Sequence, residues 1–136
     1  MRNADEEGAA DARAVVLHVE DNASNRKLVA LVLSRRPQLR LVEALDGETG
    51  LALARELRPA LILLDLRLPG ISGEEVLDAL RSDPATAGAR IVIVSAEARP
   101  VETARLIDRG ADGYLVKPVD VQGLLDLLDT VEAPGG

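Results

Sequence analysis

The chain contains no cysteine, phenylalanine or tryptophan, and only one tyrosine, one methionine and one histidine in its 136 residues. Without cysteine there is no disulfide framework, no thiol chemistry and no Cys-ligated zinc site. His18 stands alone, which excludes a multi-histidine metal site. With Tyr114 as its single aromatic residue, the chain offers almost nothing to stack on nucleic-acid bases. Basic runs are absent too, and the formal net charge is −7. That charge argues against nucleic acid or an anionic membrane as a direct partner. No apolar run reaches the roughly 20 residues of a membrane span, and the acidic N-terminus is unlike a signal peptide. The expectation is a soluble, cytoplasmic protein of one domain, because this length suffices for one ordinary core and not for two.

What remains is aliphatic. Hydrophobic residues make up 47% of the chain, and a core of Leu, Val, Ile and Ala suits helix-on-sheet layers. The apolar residues fall into five short runs: 14–19 (AVVLHV), 39–45, 60–65, 91–94 (IVIV) and 113–116. Short all-apolar runs bounded by Pro, Gly and Asp read as strands buried on both faces. Between them lie helical patterns. Leu28, Val29, Val32 and Leu33 mark helix 1, predicted to run to about Arg36 before Pro37. Asp46-Gly47 reads as a turn, after which Gly50, Leu53, Ala54 and Leu57 mark helix 2. Ser72 and Glu75 form a capping box before Val76, Leu77 and Leu80 of helix 3. Helix 4 covers 101–109 with Gly110 as its stop, and Val121, Leu124, Leu125 and Leu128 mark helix 5. Strands alternating with helices predict an α/β fold with a parallel sheet covered on both faces. Residues 1–13 read as a disordered tail, 14–131 as the domain and 132–136 as a C-terminal tail.

In a parallel sheet all strand carboxyl ends share one edge, where ligands bind. Strand 1 delivers Glu20 and Asp21 there, strand 3 Asp65, strand 4 Ser95 and strand 5 Lys117. Taken singly, each has an ordinary explanation. Asp65 could be a turn or cap residue, Glu20-Asp21 a cap for helix 1, Lys117 a solvated lysine and Tyr114 a packing residue. Their conjunction at one edge is the informative signal. Three carboxylates repel one another unless a cation lies among them, and an all-oxygen set with few protein ligands suits Mg²⁺. Such a cation would neutralise charge on an incoming phosphoryl group. Lys117 and the Ser95 hydroxyl would bind phosphoryl oxygens. A carboxylate can itself be the nucleophile, and Asp65, central in the sheet, is the candidate.

The segments VVLHVEDN, LILLDLRLPGISGEEVL, IVIVSA and GYLVKP, in that order and spacing, resemble the receiver domains of two-component response regulators. The resemblance spans about residues 14–131. It implies a doubly wound, flavodoxin-like fold with five parallel strands in the order 2-1-3-4-5 and five helices. It implies phosphotransfer to Asp65 from a histidine kinase or histidine phosphotransfer protein. Mg²⁺ would bind Asp21, Asp65 and the backbone carbonyl of Arg67, with Glu20 acting through water. Ser95 and Lys117 would bind the phosphoryl group, Ser95 and Tyr114 would switch the helix 4–strand 5–helix 5 surface, and Lys117-Pro118 would be cis.

Arg67 and Glu97 would tune phosphate lifetime. Leu31, off the core face of helix 1 beside Ser24 and Lys27, is either a scattered surface leucine or a contact for a helical phosphodonor. Helix 5 carries no Lys or Arg, unlike the dimerising DNA-binding regulators, so the expectation is a monomer or a weak phosphorylation-dependent dimer. The domain would be a stand-alone receiver or a module of a larger protein, a phosphoacceptor rather than an enzyme, with its downstream protein target unnamed.

Two other readings stay open. One is a docking module with the receiver fold that works without phosphate. The other is a Mg²⁺-dependent phosphohydrolase with an aspartyl nucleophile of the haloacid-dehalogenase type. That chemistry wants an acid two residues after the nucleophile, where this chain has Arg67. A dinucleotide-binding enzyme would need a Gly-rich turn after strand 1, and Asp21-Asn22-Ala23 is not one.

Overall fold

The computed structural model describes residues 12–131 apart from residue 98. The predicted tails fall outside that range except for residues 12 and 13. The Arg13 guanidinium donates to the carbonyls of Pro37 and Leu39 at 3.3 and 3.4 Å. In chain order the elements are β1 (Ala14–Val19), α1 (Ala23–Leu33), β2 (Leu39–Ala44), α2 (Gly47–Leu57), β3 (Leu61–Asp65), α3 (Gly73–Ser82), β4 (Arg90–Ser95), α4 (Pro100–Asp108), β5 (Gly113–Val116) and α5 (Val121–Leu128). All strand pairs are parallel and the order is β2-β1-β3-β4-β5, as the resemblance implies.

Side-chain alternation along the strands divides the core into two layers. Val16, Leu61, Leu63, Val92 and Val94 face α1 and α5, meeting Val29, Val32, Leu124 and Leu128. Leu17, Val19, Ile62, Leu64, Ile91 and Ile93 face α2, α3 and α4, meeting Ala54, Val76, Leu77, Leu80 and Leu106. Each fully buried Leu or Ile contributes about 1.5–3 kcal/mol by leaving water, so the aliphatic runs of β1, β3 and β4 hold the sheet.

Several boundaries differ from the sequence reading. Helix α1 ends at Leu33 rather than Arg36; the Ser34 N–H closes back onto Ala30 and its hydroxyl onto the Leu31 carbonyl. Strand β2 stops at Ala44 and leaves Leu45 exposed. Asp46-Gly47 is not a free turn: the Asp46 carboxylate accepts the Thr49 N–H at 2.7 Å and caps α2, which begins at Gly47. An Asp-Gly pair serves as a turn between strands or as a cap where a helix starts at its glycine. The capping box of α3 is present, with Ser72 Oγ and Glu75 exchanging bonds at 3.2 and 3.1 Å.

Two glycines are fixed by geometry. Gly110, with φ +114°, terminates α4 in a backbone conformation that side chains disfavour. Gly73 opens α3 directly against β3. A Cβ there would stand 2.2 Å from the Asp65 carbonyl oxygen, so only glycine lets α3 close on the strand end.

Candidate functional site

The carboxyl edge gathers the predicted residues. Asp65 is the last residue of β3 and only 5% exposed; Glu20, just past β1, is 1% exposed. By alternation both belong to the α1/α5 side, as does Lys117 just past β5. The Lys117 ammonium stands 2.8 Å from Glu20 Oε1 and 3.1 Å from Asp65 Oδ2. Asp21 is exposed beside them, and carboxylate oxygens of Glu20, Asp21 and Asp65 all lie within 4.8 Å of one another. Backbone groups orient the acids. The Arg67 N–H donates to Asp65 Oδ1 at 3.1 Å, and the Asn22 N–H to Glu20 Oε2 at 3.2 Å.

Electrostatics follow from that crowding. Burial, and then the neighbouring Glu20 carboxyl, push the Asp65 pKa above the ordinary carboxylate range. Burial works against the Lys117 ammonium, yet Glu20 and Asp65 outweigh it and hold its pKa above the usual lysine value. A divalent cation fits this donor set. The ligand atoms are all oxygen, they converge, and their mutual repulsion is what a positive charge relieves.

Ser95 ends β4 and, by alternation, belongs to the α4 side with Tyr114. The two are joined through Glu97. The Glu97 N–H donates to Ser95 Oγ at 3.3 Å, and the Tyr114 hydroxyl donates to the Glu97 carbonyl. The Glu97 carboxylate pairs with Arg67 at 2.8 Å, across the opening between the β3–α3 and β4–α4 connections. The Lys117–Pro118 peptide is cis, and Leu31 is 61% exposed.

Three residues escaped the sequence reading in these roles. The Arg26 guanidinium, one turn into α1, donates to the carbonyls of Glu20 and Asp21 at 3.2 and 2.8 Å. A cation one turn after two acids was its only trace in the sequence. Glu97 is a junction rather than a neighbour, which no local pattern encodes. His18 is fully buried directly beneath Glu20 and Asp65, and its Nδ1 has no hydrogen-bond partner.

The chain matches the family model described as the response regulator receiver domain over residues 16–129. It belongs to that family. The receiver is 39% identical over 121 residues to the nitrate/nitrite response regulator protein NarL of Escherichia coli (strain K12), covering 88% of this chain and 55% of NarL. It is also 39% identical over 103 residues to the DNA-binding response regulator MtrA of Mycobacterium tuberculosis (strain ATCC 25618 / H37Rv), covering 76% of this chain and 43% of MtrA. The receiver thus spans about half the length of the curated relatives it matches. Among solved structures, the chemotaxis protein CheY4 of Vibrio cholerae superposes with a TM-score of 0.80 at 31% identity, covering 89% of this chain and all of CheY4. The fold class and the family read from the sequence are both borne out. No helix among the described residues is long and apolar enough to cross a membrane.

Proposed function

We propose that this receiver accepts a phosphoryl group on Asp65 from the phosphohistidine of a histidine kinase or histidine phosphotransfer protein. The observation that carries the reading is the Asp65 carboxylate at a strand end, 3.1 Å from the Lys117 ammonium and converging with Glu20 and Asp21. In the transfer, an Asp65 carboxylate oxygen attacks phosphorus and the P–N bond breaks. Its electron pair leaves on the donor imidazole nitrogen, which takes a proton from solvent. The Lys117 ammonium, 3.1 Å from Asp65 Oδ2, favours the ionised carboxylate that the attack requires. Lys117 exchanges its bond to Asp65 for a phosphoryl oxygen, while the Arg67 N–H keeps the acyl side of the carboxyl in place.

Asp21, Asp65 and the Arg67 carbonyl would hold Mg²⁺, with Glu20 supporting it through water; when bound, it offsets charge on the phosphoryl oxygens. The chain is a stoichiometric acceptor whose acyl phosphate is lost to water, rather than a turnover enzyme. Phosphorylation adds charge and strong acceptor oxygens at the edge. Ser95 Oγ turns toward them and gives up the Glu97 N–H. That frees the Glu97 peptide, to which Tyr114 is tied, and alters the surface of α4, β5 and α5. The unit acting in this way is residues 14–131, as a monomer or a weak phosphorylation-dependent dimer in the cytoplasm, with a protein as its downstream target.

Intact mass after incubation with Mg²⁺ and acetyl phosphate tests the reading. One phosphoryl adduct is expected on the wild type, blocked by EDTA and missing from Asp65→Ala. An adduct on Asp65→Ala would move the acceptor elsewhere. No adduct, and no complex with beryllofluoride, would leave a phosphate-independent docking module. If Tyr114→Ala leaves partner binding equally phosphate-sensitive, the switch runs without Tyr114.

A further inference from the structure

Helix α4 buries little of its own apolar surface. Leu106 is its one buried residue, while Val101 is 83% and Ile107 42% exposed. Its N-terminus has no side-chain cap; Arg99 occupies the cap position and Pro100 begins the helix. What seats α4 lies on its other half. Glu74 and Asp78 are one turn apart on α3, and Arg105 and Arg109 are one turn apart at the end of α4, so each pair shares a helix face. The two pairs meet in register. Arg105 grips Glu74 with both terminal nitrogens, one of them at 3.0 Å. Arg109 reaches Glu74 at 2.8 Å and grips Asp78 through Nε at 3.2 Å and through Nη2. Glu102 adds a second acid to Arg105. The Arg105 guanidinium holds the Glu74 carboxyl below its usual pKa. Beyond the helix, Arg81 of α3 donates to the Gly110 carbonyl at 2.9 Å. Two-pronged Arg–carboxylate pairs joined in a network are the surface ion pairs whose geometry is restrictive enough to matter.

We infer that this Glu74–Asp78–Arg105–Arg109 ladder is a strap that fixes the C-terminal half of α4 on α3. The rearrangement that the proposed switch makes at Ser95 and Glu97 is then confined to the N-terminal side of α4, while residues 102–109 stay seated. The ladder begins one residue after Gly73, which rests on the Asp65 carbonyl. The strap therefore anchors α4 to a helix whose first residue lies against the Asp65 backbone. The moving part carries Glu97, whose carbonyl holds Tyr114, and the exposed Val101. The second half of this inference rests on Asp65 being the phosphoacceptor; the strap itself does not.

Amide hydrogen exchange on the full chain tests both halves. Wild type and the Glu74→Gln/Asp78→Asn variant are compared without ligand, and the wild type again with Mg²⁺ and beryllofluoride. Without ligand, exchange in 102–109 is expected to rise about fivefold or more in the variant, since several ion pairs open together. The wild type in about 1 M salt, where the screening length falls to roughly 3 Å, should move the same way. Unchanged exchange in both arms overturns the strap. With beryllofluoride, wild-type exchange should change in 95–101 and stay within about twofold in 102–109. An equal response in the two segments overturns the confinement. If beryllofluoride alters neither segment and acetyl phosphate leaves no adduct, the phosphoacceptor reading fails and the confinement with it, while the ligand-free arms still decide the strap.

Discussion

The two edges of the sheet treat charge in opposite ways. At the amino edge charged groups are exposed or half-buried, and paired. Arg36 meets Asp129 at 2.6 Å, Arg55 meets Asp83 at 2.8 Å, and the Arg90 guanidinium donates to Thr130. Arg81 binds three carbonyls and Asp112. Cations there also sit near helix C-termini, where the backbone carbonyls are unpaired. At the carboxyl edge Glu20, Asp65 and Ser95 are buried, with Asp21 exposed beside them. Glu20 and Asp65 crowd each other, Lys117 serves both, and His18 keeps an unpartnered nitrogen beneath them. One edge is built for stability and the other is held at a cost in stability, which is how local rules are broken at functional sites.

That contrast predicts opposite signs for substitutions at the two ends. The largest effect is functional. Asp65→Ala should abolish the acetyl phosphate adduct outright, yet its thermal midpoint should lie at or above the wild type's. It removes a carboxylate whose pKa is raised by burial and by Glu20, and a group shifted in that direction disfavours folding when ionised. A clear drop in midpoint by calorimetry would mean that Asp65 stabilises the fold and the contrast is wrong.

Next in size is the pH response of His18. Burial, and then Lys117, lower its pKa from 6.5 to about 4. Between those values the unfolded chain binds more protons than the folded one, so stability rises with pH across the window. The contribution is complete above about pH 6.5 and is lost as pH falls toward 4, amounting to about 3 kcal/mol. Asp65 acts with the opposite sign at acid pH, so the readout is the difference between wild type and His18→Val in urea unfolding. The two should diverge on going from about pH 7 to about pH 4.5, with the valine variant the less acid-sensitive. Parallel curves would place a partner on His18 Nδ1.

At the amino edge Arg81→Ala should cost about 2 kcal/mol, because it strips the carbonyls of Ala87, Ala89 and Gly110 of a donor. Adduct formation on Asp65 should continue. Loss of phosphorylation in a folded Arg81→Ala protein would show that the edges are coupled.

Most of this architecture was legible in the sequence, because five aliphatic runs with Gly, Pro and Asp between them leave few alternatives to a parallel sheet. The gathering of side chains at the carboxyl edge was legible for the same reason: strand ends are readable, and Glu20 with Asp21, then Asp65, Ser95 and Lys117, mark four of them. What escaped depends on distance in the chain. The ladder of Glu74 and Asp78 with Arg105 and Arg109 joins residues 31 to 35 positions apart, and the bond from Arg81 to Asp112 spans 31. No local pattern selects those partners from the other charges. Asp46 reads as a turn residue in the sequence because a turn and a helix cap use the same residue types. His18 passes as one more residue of an apolar strand, since its consequence comes from lying below two acids brought by different strands.

The smallest effect is the sharpest check on the idea that the amino edge carries charge cheaply. Arg36 and Asp129 join the turns that come after α1 and α5, and Arg36 binds both carboxylate oxygens, at 2.6 and 3.1 Å. The pairing raises the Arg36 pKa and lowers that of Asp129. Asp129 is exposed and Arg36 only half-buried, so screening and side-chain entropy offset most of the attraction. Arg36→Ala and Asp129→Ala, singly and together, should each leave the midpoint within about a degree or two of the wild type. Any coupling between them in the double-mutant cycle should fade as salt is added. A large coupling that persists in high salt would mean that this edge, too, relies on a desolvated charge pair, and the asymmetry between the edges would then be one of exposure rather than of energy.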